Sequence, residues 1–304
     1  MKIILAGGSG YMGTVISEYF REKAKEILIL SRTVFPAHDN VRYVQWDARS
    51  ENGNWSEEIN GADLVVNLVG KSVNCRYTEA NKKEIFRSRL ESTGILGKVI
   101  GECPRPPKLW INMASATIYR HAEDRAMDEA TGEIGEGFSI EVCKAWEKSF
   151  NDCQVPSTRK VCLRVGIVMG RKDGAYPLMR RMVKFGLGGK QGNGNQQFTW
   201  IHERDMARIV EWLYKNENAS GVYNCTSPGP IPNKEVMRLT RKTLGAPIGL
   251  PAPAWLLKMG AVFIGTETEL ILKSRWVIPK RLIDEGFEFQ FTEMGKALEE
   301  IEGK

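Results

Sequence analysis

The chain has 304 residues, 42% of them hydrophobic, enough for a sizeable core in one large domain or two unequal ones. Its formal net charge of +6 suits an anionic small molecule, and no basic stripe interleaved with aromatics argues for nucleic acid. No segment approaches the roughly 20 apolar residues of a membrane span, and the apolar run Ile3–Ala6 is too short for a secretory signal, so a cytoplasmic protein with no membrane partner is the default expectation.

In chain order, Lys2–Ala6 reads as a strand and Tyr11–Lys23 as a helix. Glu26–Leu30 and Val41–Trp46 read as strands, and Asp63–Val69 is a continuous apolar run of the kind buried in a parallel sheet. A long helix is predicted over Thr78–Gly101, strands over Lys108–Met113 and Lys160–Val165, and a helix between them around Ser139–Asp152. This alternation predicts an α/β doubly wound parallel sheet. After Gly170 the character changes. Gly186–Gln197 is rich in glycine and amides and reads as a loop, followed by a strand at Phe198–Ile201, a helix at Glu203–Asn216 and a strand at Val222–Cys225. Ser227–Pro232 punctuates strongly, and the C-terminal remainder looks mainly helical. The predicted division is a nucleotide-binding unit over 1–170 and 198–226, and a smaller substrate lobe over 171–197 and 227–304.

The first strand runs into Gly7-Gly8-Ser9-Gly10-Tyr11-Met12-Gly13, and the helix starts there. Strand, glycine turn and helix in that order make the triplet Gly7, Gly10, Gly13 a Rossmann-type dinucleotide loop. Gly7 permits the tight turn, Gly10 lets the backbone approach a pyrophosphate, and Gly13 lets helix and strand pack closely. Ser9, Tyr11 and Met12 complete the loop, whose free N–H groups face the phosphates. The competing reading is a purely structural turn. The second strand ends in Ser31-Arg32 with no acid. A carboxylate there would accept bonds from the ribose hydroxyls of NAD, whereas an arginine pairs with a 2′-phosphate, so NADP(H) is expected, with Ser31 and Arg32 as contacts. A plain surface arginine is the alternative. Asp47, past the third strand, is expected to face the adenine, and Val69, Gly70 and Lys71 to lie along the cofactor.

The six cysteines form no C-x-x-C pair and read as reduced, mostly buried thiols. The three histidines are too scattered for a metal motif.

With this loop, the segment Met113-Ala114-Ser115-Ala116-Thr117-Ile118-Tyr119 and the stretch Leu163–Gly170, the chain resembles the extended short-chain dehydrogenases/reductases, in particular the sugar epimerase/dehydratase group. Further pieces narrow the resemblance to an atypical epimerase-like subfamily with a C-terminal domain of unknown function. These are Ser88–Thr93, Trp146-Glu147, Gly186–Gly189, Trp200-Ile201-His202 with Asp205, and Ile278–Leu282 before Gly286-Phe287. The resemblance implies a Rossmann-type sheet with a smaller, mainly helical C-terminal lobe, and a cofactor also lined by Ala114, Arg164 and Gly166.

The wider family uses a Ser/Thr with a Tyr-x-x-x-Lys pair, the lysine lowering the tyrosine pKa from about 10. Only Tyr19 has a lysine four residues on, Lys23, and that pair lies on the helix after the glycine loop. Anchoring on Glu147 puts Ser139 at the tyrosine position and Cys143 at the lysine position, and neither does the usual job. Two readings stay open. One is an NADP(H)-dependent oxidoreductase or epimerase acting on a small polar, nucleotide-sugar-like substrate. In it Ser115 holds a substrate oxygen and Tyr119 is the candidate proton donor, with His202 and Lys144 as further candidates. The amide-rich loop, Trp200, Arg76 and Tyr77 would form a polar pocket rim. The other reading is a non-catalytic NADP(H)-binding redox sensor or scaffold.

Overall fold

A computed structural model describes residues 1–51, 53–264 and 267–304. Its first half alternates as the pattern predicts: β1 (Lys2–Ala6), α1 (Tyr11–Phe20), β2 (Glu26–Ser31), β3 (Val41–Gln45), α2 (Trp55–Ile59), β4 (Leu64–Asn67), α3 (Glu79–Glu102), β5 (Leu109–Ser115), a 3-10 turn (Ala116–Ile118), α4 (Phe138–Asp152) and β6 (Arg159–Val165). Then come β7 (Ile167–Met169), α5 (Tyr176–Lys184), β8 (Gln197–Phe198), β9 (Trp200–His202), α6 (Glu203–Lys215), β10 (Gly221–Cys225) and β11 (Ile231–Pro232). The chain finishes with α7 (Asn233–Leu244), α8 (Ala254–Ile264), α9 (Glu269–Leu272), α10 (Lys280–Asp284) and α11 (Met294–Glu302).

Seven strands form one sheet in the order β10-β6-β5-β4-β1-β2-β3, and every pairing in it is parallel. Both faces are buried because successive side chains point to opposite faces. Ile3, Leu5, Ile27, Ile29, Leu64 and Val66 enter one core, with Ile16 and Phe20 of α1 and Ile209 and Leu213 of α6. Ile4, Ala6, Leu28, Leu30 and Val65 enter the other, with Leu96 and Ile100 of α3 and Phe150 of α4. This is why the strands read as continuous apolar runs. The chain winds outward from β1 to β2 and β3, then crosses to β4 on the far side, which opens a crevice at the strand ends between β1 and β4.

The strand expected at Phe198–Ile201 divides instead. Gln197–Phe198 pairs with Ile231–Pro232, Trp200–His202 pairs with Ile167–Met169, and neither joins the main sheet. Thr199 sits at the break because its hydroxyl is used elsewhere, donating to Arg275 O and accepting from Val277 N–H at 2.9 Å. A separate core of Tyr176, Met179, Trp200, Met237, Phe291 and Leu298 gathers α5, α7 and α11 into a second lobe. Leu282 and Phe287 return to the main core, where α10 packs on β10. All six cysteines are free thiols, with Cys143, Cys162 and Cys225 buried. No helix among the described residues is long and apolar enough to cross a membrane.

Candidate active site

The glycine loop is shaped by contact on every side except one. Gly7 has φ +73° and donates its N–H to Leu30 O at 2.8 Å, and a Cβ there would stand 2.9 Å from the Val69 side chain. A Cβ on Gly13 would meet Gly8 O at 2.1 Å, so α1 and the loop touch only because it is absent. Around Gly10 there is nothing within 4 Å of a Cβ position. Gly10 is the N-cap of α1, no side chain caps it, and the first turn carries no acid. The first backbone bond of the helix is Thr14 N–H to Gly10 O at 3.0 Å, which leaves the preceding N–H groups and the positive helix end on the open side. That cradle fits a pyrophosphate. Ser9 is exposed on its rim. Tyr11 turns its side chain away, its hydroxyl donating to Glu203 Oε2 at 2.5 Å across the space a Gly170 Cβ would fill.

At the end of β2, Ser31 is buried and its hydroxyl donates to Thr33 O. Arg32 is exposed and makes no hydrogen bond or ion pair among the described residues. Past β3, Asp47 Oδ1 accepts the N–H groups of Arg49 and Ser50 at 2.9 and 2.8 Å, which hold its carboxyl below the usual range. It borders a hollow of about 450 Å³ with Val44, Trp46 and Asn54.

At the end of β4, Asn67 is fully buried and donates to Thr93 Oγ1 and Asn112 Oδ1, while its own oxygen accepts Val69 N–H. Trp146 Nε1 donates to the same Thr93 hydroxyl at 3.0 Å. This network fixes Val69 beneath Gly7. Lys71 N–H donates to Ser88 Oγ at 2.9 Å, and Arg89 donates to Lys71 O at 3.0 Å with its guanidinium against Gly70. Arg89 lies within the Ser88–Thr93 stretch of the resemblance, but nothing in that stretch assigns it a role beside the cleft. The signal for it lies in Ser88, Ser92 and Thr93, polar groups recurring along the inward stripe of α3.

Ala114 is buried near the end of β5, and Ser115 is half-buried, its hydroxyl accepting Thr117 N–H at 3.2 Å. Gly166 is walled by Thr199 and Thr226, each 3.2 Å from its Cβ position. Two expected site residues lie in the core instead. Arg164 forks onto Glu147 through two bonds of 2.8 Å and donates to the Tyr119 hydroxyl at 2.7 Å. That hydroxyl in turn donates to Asn224 Oδ1 at 3.0 Å, with Tyr119 only 2% exposed. The physical reason is Glu147: it faces inward from α4, and a buried carboxylate needs a counterion. The Arg164 guanidinium is spent on that task, and the Tyr119 phenol fills the remaining donor site.

The other candidates also have occupations of their own. Tyr19 and Lys23 are both bound to Glu211, away from the strand ends. His202 caps α6 by accepting Arg204 N–H, bonds Glu300 at 2.9 Å and stacks on Phe291. Lys144 pairs with Glu141 at the surface. The amide-rich loop is no free rim. Gln191 and Asn233 exchange bonds of 2.9 and 3.0 Å, Gln196 donates to Gln191 O, and Gly189 and Gly192 bond Leu250 and Ala252.

Ser139 and Cys143 line the first two turns of α4. Burial pushes the Cys143 thiol up to about 11. The Ser139 hydroxyl donates to Glu269 Oε2 at 3.2 Å and lies 3.2 Å from the Tyr77 hydroxyl, whose ring packs on Phe138. Burial and then the nearby carboxylate of Glu269 raise the Tyr77 phenol above its ordinary value. Lys273 Nζ donates to Thr117 O at 2.8 Å, and Arg275 Nε to Thr117 Oγ1 at 3.2 Å. The pocket beside Ser139 thus carries a carboxylate and a lysine from the C-terminal segment. Their sequence context, a short helix and an irregular stretch, gives no sign of them.

Residues 3–226 match the NAD dependent epimerase/dehydratase family, and residues 252–301 match a domain of unknown function, DUF1731. Over 306 residues the chain is 31% identical to the human epimerase family protein SDR39U1, covering 99% of both. It is 30% identical over 302 residues to the epimerase family protein YfhF of Bacillus subtilis, covering 99% of this chain and 98% of that one. A crystal structure of human SDR39U1 (isoform 2) with NADPH superposes with a TM-score of 0.88 at 30% identity over 100% of both chains. DesIV, a dTDP-glucose 4,6-dehydratase of Streptomyces venezuelae, shares the fold at 15% identity and a TM-score of 0.78, covering 99% of this chain and 95% of that one. With its parallel sheet and its glycine cradle at the β1–β4 crevice, this chain belongs to the NAD-dependent epimerase/dehydratase family.

Proposed function

We propose that the protein is an NADP(H)-dependent oxidoreductase or epimerase of the extended short-chain dehydrogenase/reductase type, acting on a small polar substrate. The observation that carries this is the open cradle at Gly10 with the unpartnered Arg32 at the end of β2, where no carboxylate opposes a 2′-phosphate. The NADPH in the human relative supports the same choice. In this reading the backbone of Gly7, Ser9, Gly10, Tyr11, Met12 and Gly13 holds the pyrophosphate. Ser31 and Arg32 hold the 2′-phosphate end, Asp47 borders the adenine, and Val69, Gly70, Lys71, Ala114 and Gly166 line the remainder. The dinucleotide, when bound, supplies the hydride chemistry. Ser115 positions a substrate oxygen.

A second reading, a redox sensor or scaffold without catalysis, is favoured by one observation: Ser139 and Cys143 stand where the family's acid/base pair belongs. The pocket with Glu269 and Lys273 beside Ser139 supports the enzyme. Calorimetric titration with NADPH, NADP⁺, NADH and NAD⁺ decides the cofactor. Preference for the phosphorylated pair is expected, and Arg32→Ala should cost it about ten- to a hundredfold in affinity, the ~1.5–3 kcal/mol of a charged hydrogen bond, while NADH is unaffected. Failure of all four to bind would overturn the proposal.

A further inference from the structure

Lys273 is half-buried, and its ammonium makes one hydrogen bond, to Thr117 O, and no ion pair among the described residues. An ammonium carries three donors, so two find no acceptor among the described residues. Lys273 lines a hollow of about 430 Å³ together with Glu269, Glu136, Ile140, Arg120 and His121. Arg120 is already neutralised by Asp124 and Glu133, and His121 Nδ1 accepts Ser274 N–H at 3.1 Å. Glu269 accepts from Ser139 through one oxygen, Oε2. The wall of the hollow therefore presents one under-bonded cation, Lys273, beside Glu269 with a spare acceptor, while the second carboxylate, Glu136, stands exposed at the solvent side. Thr117 links it to the β5 end, giving its carbonyl to Lys273 and its N–H to Ser115.

We propose that this hollow binds a small hydroxylated oxyanion, its carboxylate or phosphate group seated on Lys273 Nζ and a hydroxyl donating to Glu269. The proposal rests on reading the cleft as a substrate site and names the chemical class of that substrate. The charged and titratable groups facing Lys273 are Arg275 and Glu269 from its own segment and Cys143 from α4, with Arg120, His121 and Glu136 on the loop that walls the same hollow and Arg89 of α3 and Tyr77 beyond them. Burial, then Arg275, hold the ammonium down to about 8. An anion on Nζ favours the charged form and raises that value, so binding takes up a proton near pH 8 and weakens as pH rises further.

The test is a pH titration of the reductively ¹³C-methylated full chain by NMR. The Lys273 resonance is the one missing from Lys273→Gln, or from Lys273→Arg should the glutamine variant fail to fold. Spectra are taken in chloride alone, with glycolate and with inorganic phosphate, each with and without NADPH. One methyl-lysine titrating near pH 8 is expected to move upward by about one unit with glycolate or phosphate and not with chloride. The larger shift identifies the carboxylate or the phosphate as the group recognised. A Lys273 titration that neither anion moves overturns this inference. It leaves the NADPH reading standing, since that reading fails separately, through loss of cofactor binding.

Discussion

Glu147 is 8% exposed, and both its oxygens are taken by Arg164. Removing one member of such a pair strands the other charge in the core, so Glu147→Ala should destabilise the protein by roughly 3–5 kcal/mol in urea unfolding. Tyr119→Phe deletes a hydroxyl that accepts from Arg164 and donates to Asn224. It should cost about 1–3 kcal/mol of stability and leave NADPH affinity unchanged. A stable Tyr119→Phe protein with weakened cofactor binding would put this phenol back in the cleft. From the sequence, a tyrosine four residues past Ser115 looks like chemistry. Only the packing of α4 shows that its hydroxyl completes a buried ion pair.

At the scale of elements, the glycine loop yields a paired prediction. Gly13→Ala places a methyl 2.1 Å from Gly8 O, so α1 must retreat from the loop, and both stability and NADPH binding should fall. Gly10→Ala meets no protein atom within 4 Å, so its melting temperature should stay near wild type while NADPH affinity drops, because the methyl enters the cradle. Equal NADPH affinity in Gly10→Ala and wild type would mean that the phosphates lie elsewhere. The strands and helices of the sheet are legible because parallel strands buried on both faces must be apolar throughout, and because the glycine turn sits where strand meets helix. Gly186–Gln197 reads wrongly as a rim for an equally physical reason. Glycine and amide side chains suit a solvated loop and also a buried one whose amides satisfy each other, as Gln191 and Asn233 do. Composition does not separate the two. Glu269 and Lys273 are invisible in the sequence because their partners, Ser139 and Thr117, lie more than a hundred residues away.

Across the whole molecule, His202 is the joint between the small β7–β9 sheet, α6 and α11, with its ring fully buried. Burial lowers its pKa despite the opposing pull of Glu300. The folded chain therefore binds fewer protons there than the unfolded chain, and stability falls as pH drops through about 6.5, the unfolded value. Thermal unfolding at pH 7.5 and 5.5 should show a lower melting temperature at the acid end. His202→Asn, which keeps a helix-capping side chain, should narrow that difference. An unchanged difference would assign the acid sensitivity to other groups.

The bond from Tyr11 to Glu203 spans 192 positions, and that from the adjoining His202 to Glu300 spans a further 98. The cradle is synthesised well before the carboxylate that braces it. At ~5–20 residues per second, a ribosome takes roughly ten to forty seconds to deliver Glu203 after Tyr11 has been made. During that interval the apolar strands β1, β2 and β4 have α1 but not α6 over their shared face, so this nascent chain is exposed to aggregation and suited to chaperone capture until α6 emerges.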